Sequence, residues 1–302
     1  MKRVAVICCV ALLFCGCMHK DRGPGIYDVK DWEAFVQTIN AGAPPTMWED
    51  AEGIVRLHGD LNLKRWKNPR PVGQEELTPF RGVFDGGNYT ISGLKLKSDS
   101  LYVGLFGINR GTIRRVKIAP NCRIEATNKD GFVGAVCADN FGRVELCENG
   151  ADVRGAGCVG GVVGRVQPDP SSTVVPLVAR CKNSGKVIGT GSQAGGVVGW
   201  SYRAKVVDSD NAGEVSCSGF YAGGVIGLNG GLLRGCRNSA PIRGTHYAGG
   251  VAGANSNEGR LEEVDNTALV QAETIGEIVG EDFTQQVVDE DVLREHYHHE
   301  HE

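Results

Sequence analysis

The sequence predicts an all-β protein: a parallel β-helix, or β-solenoid, of about seven coils with a capping helix at its N-terminal end. Two observations predict this fold. A short glycine string recurs along the chain, and short apolar runs broken by Gly, Asp and Asn separate its copies. Recurrence at a near-constant period of 20–50 residues is typical of stacked structural units. Short alternating runs between turn residues are typical of strands.

The glycine string has the consensus Gly-Gly-Val-Val-Gly. Clear copies begin at Gly160, Gly195, Gly223 and Gly249, and weaker forms occupy residues 103–107, 133–137 and 277–280. Its second position falls at residues 104, 134, 161, 196, 224 and 250, so the steps are 30, 27, 35, 28 and 26 residues. A phosphate-binding glycine loop needs one copy between a strand and a helix. The repetition therefore argues against a nucleotide site.

The N-terminal residues 1–17 are predicted to be a lipoprotein signal peptide. Lys2 and Arg3 precede an apolar run of eleven residues, which is too short to span a bilayer. The run ends at Gly16-Cys17, which resembles the bacterial lipoprotein processing box, so Cys17 is expected to carry the lipid. An ordinary secretory signal is the alternative. Residues 18–27 would form a short tether to the membrane.

Residues 28–52 are expected to form the N-terminal cap, residues 53–280 the solenoid and residues 281–302 a polar tail. In the cap, Trp32, Phe35, Val36 and Ile39 form one apolar helical stripe. Asp28 can cap the start of this helix, which would end at Gly42. The His-rich end of the tail, residues 294–302, could bind a divalent metal, but a frayed polar terminus is the favoured interpretation.

Equivalent residues of successive repeats should lie above one another in the stack. Three columns of like residues are predicted: Asn149, Asn183, Asn211, Asn238 and Asn266; Val153, Val187, Val215, Ile242 and Val270; and Cys147, Cys181 and Cys236. Stacked Asn side chains can pass a hydrogen bond from coil to coil. The Val and Cys columns are expected to fill the interior.

Seven cysteines follow Cys17, and we expect them to be reduced and buried. They are Cys122, Cys137, Cys147, Cys158, Cys181, Cys217 and Cys236. Their odd number excludes a complete set of disulfides within one chain. The seven contain no Cys-x-x-Cys pair and the chain contains no His-Glu-x-x-His string, so neither a zinc site nor another cofactor is predicted.

The strings "GGVVG", "GGVIG" and "GGVAG", with "PFRGVFDGGNYTISGL" and "VGLFG", resemble those of proteins that carry the GLUG motif. This repeat occurs in bacterial surface and secreted proteins, including large adhesins and the non-catalytic part of some immunoglobulin-A proteases. The resemblance covers residues 52–280 and implies a surface β-solenoid without catalytic activity. Two departures are Cys137, which replaces the last Gly of its string, and an insertion at residues 167–176, expected to bulge out as a loop.

Aromatic residues near the strings are the candidate ligand-binding residues. They are Trp200, Tyr202, Phe220, Tyr221 and Tyr247, with Tyr221 and Tyr247 in one column. Stacked aromatic rings could offer flat faces to sugars or peptides. The alternative is that they pack between neighbouring coils.

The function expected from these observations is a lipid-anchored, non-catalytic module of the outer membrane or cell surface, with a glycan or protein ligand. The net charge of −4 gives no reason to expect nucleic-acid binding. The alternative is a polysaccharide lyase or glycoside hydrolase, which would need clustered carboxylates. The best acidic pair, Asp208 and Asp210, is expected to share a strand face, and Asp85 is expected to be a turn residue. The column Asp152, Lys186, Glu214 and Pro241 shows mixed charge instead of an acidic cluster.

Overall fold

The computed structural model describes residues 22–284, and within them the chain is a parallel β-solenoid of about eight turns. Strands pair in parallel register with the equivalent strands of the coils above and below, for example Tyr221 with Tyr247. This confirms the predicted fold class. The proposed signal peptide, Cys17, and the tail beyond Thr284 lie outside the described residues.

Four sheets run along the solenoid. Sheet I contains Ile54–Arg56, Val83–Asp85, Phe106–Asn109, Thr112–Arg114, Cys137–Asn140, Arg143–Glu145, Val163–Val166, Leu177–Ala179, Val198–Val207, Ile226–Arg234, Ala252–Asn255, Arg260–Glu262 and Val279–Asp282. Sheet II contains Leu61–Asn62, Thr90–Ser92, Lys117–Ile118, Glu148–Asn149, Lys182–Asn183, Asp210–Asn211, Arg237–Asn238 and Asp265–Asn266. Sheet III contains Lys95–Ser98, Arg123–Ala126, Asp152–Gly155, Val187–Gly189, Val215–Cys217, Ile242–Gly244 and Val270–Gln271. Sheet IV contains Tyr102–Val103, Phe132–Gly134, Cys158–Gly160, Gln193–Gly195, Tyr221–Gly223, Tyr247–Gly249 and Thr274–Gly276.

The N-terminal helix covers the first coils, as predicted. It spans Val29–Asn40, and Asp28 caps it by accepting hydrogen bonds from the next backbone N–H groups. Its buried stripe packs on phenylalanines of the solenoid, with the Trp32 ring 5.9 Å from that of Phe84. Two short 3₁₀ helices, Pro45–Met47 and Leu63–Arg65, follow it.

The predicted Asn column forms a continuous ladder of amides. Each Nδ2 donates to the Oδ1 of the Asn in the next coil, and all four such distances, from Asn149 to Asn266, are 2.8 Å. Each Nδ2 also donates to the carbonyl two residues on, for example that of Gly213 from Asn211. Burying an amide is costly unless it is hydrogen-bonded. Exact stacking meets this need because every amide finds the same partners in each coil.

The second glycine of each string packs against this ladder. A Cβ added to Gly224 would lie 2.4 Å from Cγ of Asn238, and one added to Gly196 would lie 2.3 Å from Cγ of Asn211. No side chain fits at such distances, so the wall of the solenoid bends inward until its backbone touches the ladder. We call this bend the glycine corner.

The Cys column has a second role beside packing. The thiols of Cys147, Cys181 and Cys236 donate to the carbonyl two residues earlier, as does the hydroxyl of Ser209 in the same column. The residue between donor and acceptor has a positive φ in each case: Leu146, Arg180, Asp208 and Gly235. In each of these coils, the side-chain hydrogen bond of the column residue therefore closes a left-handed turn.

All seven predicted cysteines of the solenoid are free and buried, as expected. The turn corrects one expectation, because Asp208 lies in it with φ 51° whereas Asp210 begins the next strand. The two carboxylates consequently do not share a strand face.

We predict that Gly224→Ala destabilises the solenoid by about 3 kcal/mol, because the new methyl group would meet the Gly250 carbonyl oxygen at 2.0 Å as well as the ladder. Gly59→Ala is the control, since nothing lies within 4 Å of a Cβ at that site. Urea unfolding of both variants measures the difference. Equal midpoints for the two would contradict the contact between corner and ladder.

Candidate binding groove

Two outward-facing columns meet at the glycine corner, between sheet IV and the adjoining part of sheet I, and we call the surface that they form the groove. Each column forms one wall. The sheet IV wall carries Tyr102, Phe132, Cys158, Gln193, Tyr221, Tyr247 and Thr274. The sheet I wall carries Ile108, Asp139, Arg165, Trp200, Leu228, Ala254 and Glu281. Side chains of the two walls contact each other across the corner, as Phe132 and Arg165 do, and six of the fourteen residues are buried.

An ion pair on neighbouring coils occupies the N-terminal half of the groove. Nε and Nη2 of Arg165 lie 3.1 and 2.6 Å from the two carboxylate oxygens of Asp139. Gln167 Nε2 donates to the same carboxylate at 3.2 Å. Asp139 is fully buried, and burial raises its pKa, although the Arg165 guanidinium acts in the opposite direction.

The guanidinium of Arg165 lies between aromatic rings. Its Cζ is 3.7 Å from the centroid of Phe132 across the groove and 5.7 Å from that of Trp200 on the next coil. A cation over an aromatic face is attracted by the ring quadrupole. These contacts and the ion pair together hold Arg165 in one orientation.

A segment from the N-terminal region closes this end of the groove. Val72 and Phe80 bridge to the first sheet I strand that lines the groove, and Glu76 between them accepts a hydrogen bond of 3.0 Å from the Tyr102 hydroxyl. Burial and the Glu76 carboxylate raise the pKa of Tyr102. Tyr102 is thus a neutral hydrogen-bond donor that anchors the segment.

Cys158 differs from the other cysteines because it faces the groove instead of the core. Gln193 Nε2 lies 3.0 Å from its sulfur. Burial raises the pKa of Cys158 to about 12, so the thiol stays protonated at neutral pH and is a poor nucleophile.

Tyrosines line the C-terminal half of the groove. The rings of Tyr221 and Tyr247 lie 5.7 Å apart on successive coils, and both side chains are partly exposed. Their hydroxyls lie beside the carboxylate of Glu281 and lower its pKa, but burial has the larger effect and raises it. This half therefore offers aromatic surface and polar groups side by side.

The structure brings three of the five predicted aromatic residues into the groove: Trp200, Tyr221 and Tyr247. The other two, Tyr202 and Phe220, are outside the two columns and exposed by 38% and 49%. Phe220 stacks on His246 of the next coil at 5.8 Å, which is a contact between coils as the alternative interpretation had it.

The insertion at 167–176 is a loop beside the sheet I wall, but it does not simply bulge outward. Asp169 is buried, forms an ion pair with Arg110 and accepts hydrogen bonds from Ser171 N and Oγ at 3.0 and 2.7 Å. The Ser171 and Arg110 hydrogen bonds lower the pKa of Asp169 to about 2. This loop and Arg110 flank the Asp139–Arg165 pair.

Two carboxylates that the sequence analysis singled out elsewhere, Asp85 and Glu214, are paired with cations. Asp85 accepts a hydrogen bond from Gly87 N, as a turn residue should, but it is also buried among Arg56, Arg114 and Arg115. Glu214 pairs with Lys186 and Arg243 on the neighbouring coils. Within residues 22–284, no three His, Cys, Asp or Glu side chains are grouped as metal ligands would be.

Sequence reasoning missed the Asp139–Arg165 pair, Tyr102, Cys158 and Glu281 as groove residues. The sequence did contain one signal. In these repeats, a residue of the first column is followed seven residues later by a residue of the second column, as Phe132 is by Asp139 and Cys158 is by Arg165. Only the direction of the bend, inward at the glycine corner, shows that the two positions face each other.

Comparisons with known proteins support the fold alone. No family model and no curated protein matches the chain. A solved structure described as a "putative immunoglobulin A1 protease" from Bacteroides ovatus is similar, with a TM-score of 0.65, 14% identity, and coverage of 88% of this chain and 86% of that one. In the described part of our chain, no helix is both long and apolar enough to span a membrane.

We predict that Asp169 stabilises the protein above about pH 4 and loses this effect as the pH falls towards 2. The reason is the lowered pKa: the unfolded carboxyl group takes up a proton near 3.8, before the folded one does. The difference in stability between wild type and Asp169→Asn, from urea unfolding, should be largest at neutral pH and shrink in acid. A difference independent of pH would contradict the prediction. Asp130→Asn, an exposed position, controls for the loss of a carboxylate.

Proposed function

We propose that this protein is a non-catalytic, lipid-anchored β-solenoid of the bacterial cell surface that binds an extended glycan along the groove. The observation that carries the proposal is the row of partly exposed aromatic residues on three successive coils: Trp200, Tyr221 and Tyr247. Each offers a flat apolar face with a polar group at its edge, which suits a sugar ring.

The spacing of the coils supports an extended ligand. Paired strands lie about 4.8 Å apart, which is close to the length of one sugar unit in an extended chain. A glycan along the groove could therefore meet one coil per sugar. Repeat proteins generally use such long regular surfaces for extended partners.

The charge states in the groove favour binding over catalysis. The Asp139 carboxylate is already bound by Arg165 in an ion pair. The raised pKa values of Tyr102 and Cys158 disfavour the ionised forms that a base or nucleophile needs. Glu281 is the exception, since a carboxyl with raised pKa in a groove can act as a general acid. It is the observation that keeps a surface polysaccharide-degrading enzyme as the second candidate.

The lipid anchor rests on the sequence alone. The apolar run ending at Gly16-Cys17 supports attachment through Cys17, which would place the groove at a bacterial membrane, at the outer membrane or cell surface. The residues between Cys17 and the cap would act as the tether.

We predict that Tyr221→Ala/Tyr247→Ala weakens glycan binding by about tenfold or more, because loss of two stacking platforms removes aromatic contact area. A glycan array identifies the ligand for the full chain, and calorimetry compares the variants. Tyr202→Ala is the control, because this tyrosine is exposed outside the groove.

Unchanged binding by the double variant at unchanged melting temperature would show that these tyrosines only pack between coils. Incubation of the wild type with the same glycans tests the second candidate. Release of reducing ends or unsaturated sugars, abolished in Glu281→Gln, would establish an enzyme and end the non-catalytic proposal.

We predict that Cys17→Ser abolishes acylation, because the thiol is the attachment point in the lipoprotein processing box. Metabolic labelling with a fatty acid and detergent partitioning measure the effect. The variant should lose the label and leave the detergent phase. Labelling equal to wild type would contradict the assignment, and secretion of an unlabelled wild type would indicate an ordinary signal peptide.

A further inference from the structure

We propose that Arg165 is a subsite for a carboxylate, so that the glycan bound in the groove contains acidic sugars of the uronate type. The inference rests on the proposed function and adds the chemical class of the ligand. The Arg165 guanidinium is paired along one edge and open along another.

Asp139 occupies only one side of the guanidinium. Its oxygens take hydrogen bonds from Nε and Nη2, which leaves the two N–H groups of Nη1 and the second of Nη2. Within residues 22–284, Nη1 has no protein acceptor, and the side chain keeps 16% of its surface exposed. The free Nη1–Nη2 edge presents two parallel donors, the arrangement that matches a carboxylate.

Arg165 is held ready for such a ligand. The buried Asp139 fixes one edge, Phe132 covers a face at 3.7 Å and Trp200 lies 5.7 Å away. A side chain that is already ordered loses little conformational entropy when the ligand binds. The aromatic neighbours also supply platforms for the sugar ring that bears the carboxylate.

The charges around Arg165 do not block an anion. The nearest carboxylate, Asp139, is neutralised by Arg165 itself, and Asp169 is neutralised by Arg110. Arg110 also lies close enough to lower the pKa of Asp139, but Asp169 offsets its charge, so the two ion pairs together are neutral. The Glu76 carboxylate accepts the Tyr102 hydroxyl on the other wall.

Sugars fit this site better than an acidic peptide does. The open edge of Arg165 is followed, one coil at a time, by Trp200 on the same wall and then by Tyr221 and Tyr247 on the facing wall. A polysaccharide repeats a ring at each step, and a ring can stack at each aromatic position. A peptide made of acidic residues has no such rings.

The test uses the full chain and matched probes: oligomers of polygalacturonate, alginate and hyaluronan, each as the free acid and as its methyl ester. We expect the wild type to bind at least one acid about tenfold more tightly than its ester, as is typical of hydrogen bonds to a charged group. Arg165→Gln should bind both forms equally, at the affinity of the ester. Asp139→Asn/Arg165→Gln should behave the same while leaving no unpaired buried charge. Arg203→Gln, which removes an exposed guanidinium paired with Glu258, should keep the preference.

Three outcomes would overturn parts of the proposal separately. Equal wild-type affinity for acid and ester, or a preference that survives in both Arg165 variants, refutes the carboxylate subsite and leaves glycan binding intact. No binding of any array glycan or of these oligomers in either form refutes the proposed function as well. Displacement of the acid oligomer by short poly-glutamate at similar concentration would assign Arg165 to acidic peptides instead.

Discussion

The contact between the buried Asn ladder and the glycine corner is the constraint on which the rest of the structure depends. The ladder works only if every coil has the same height and register, because each amide takes its partners from the coils on either side. The corner must then approach the ladder so closely that a Cβ would lie 2.5 Å or less from an Asn side chain, as at Gly161 and Gly196. The Gly at this position and the Asn in the ladder are thus required together, because each Gly leaves the space that an Asn side chain fills.

The first two coils lack the Gly at the corner, and they show that the corner and ladder residues change together. The strand register shifts the sequence alignment of the first two strings by one residue: Gly134 pairs with Gly160, and Cys137 pairs with Val163 and so does not replace a Gly. In the first coil with a corner, Leu105 therefore stands at the second string position and Ile118 at the ladder position, and both are buried in the main core. In the next coil Ala135 precedes Asn149. A large apolar pair near the helix gives way to the small and polar pair of the later coils. The groove therefore results from the packing of the corner against the ladder inside the solenoid. This packing does not fix the outward-facing residues of the two groove walls.

How much could be predicted from the sequence follows from this distinction. The coils, the Asn ladder, the inward Cys column and the capping helix were predictable because each repeats or follows a regular spacing. Tyr221 and Tyr247 were also recognisable as one column. The facing of Phe132 and Arg165 was not, because it depends on which way the wall bends. The turn that separates Asp208 from Asp210 was missed for a similar reason, since a positive φ at an Asp leaves no periodic trace.

The Asp139–Arg165 pair is the part of the groove that the fold itself does not require. Equivalent positions in the same column hold Ile108 and Leu228, so the wall accepts apolar residues there. A buried ion pair seldom improves on well-packed apolar residues for stability, because desolvation offsets much of the Coulomb attraction. Stability is then a weak reason for placing a charged pair at this point. A stronger reason is that the pair orients the Arg165 N–H donors towards the groove, because this orientation requires both the guanidinium and the buried Asp139 carboxylate.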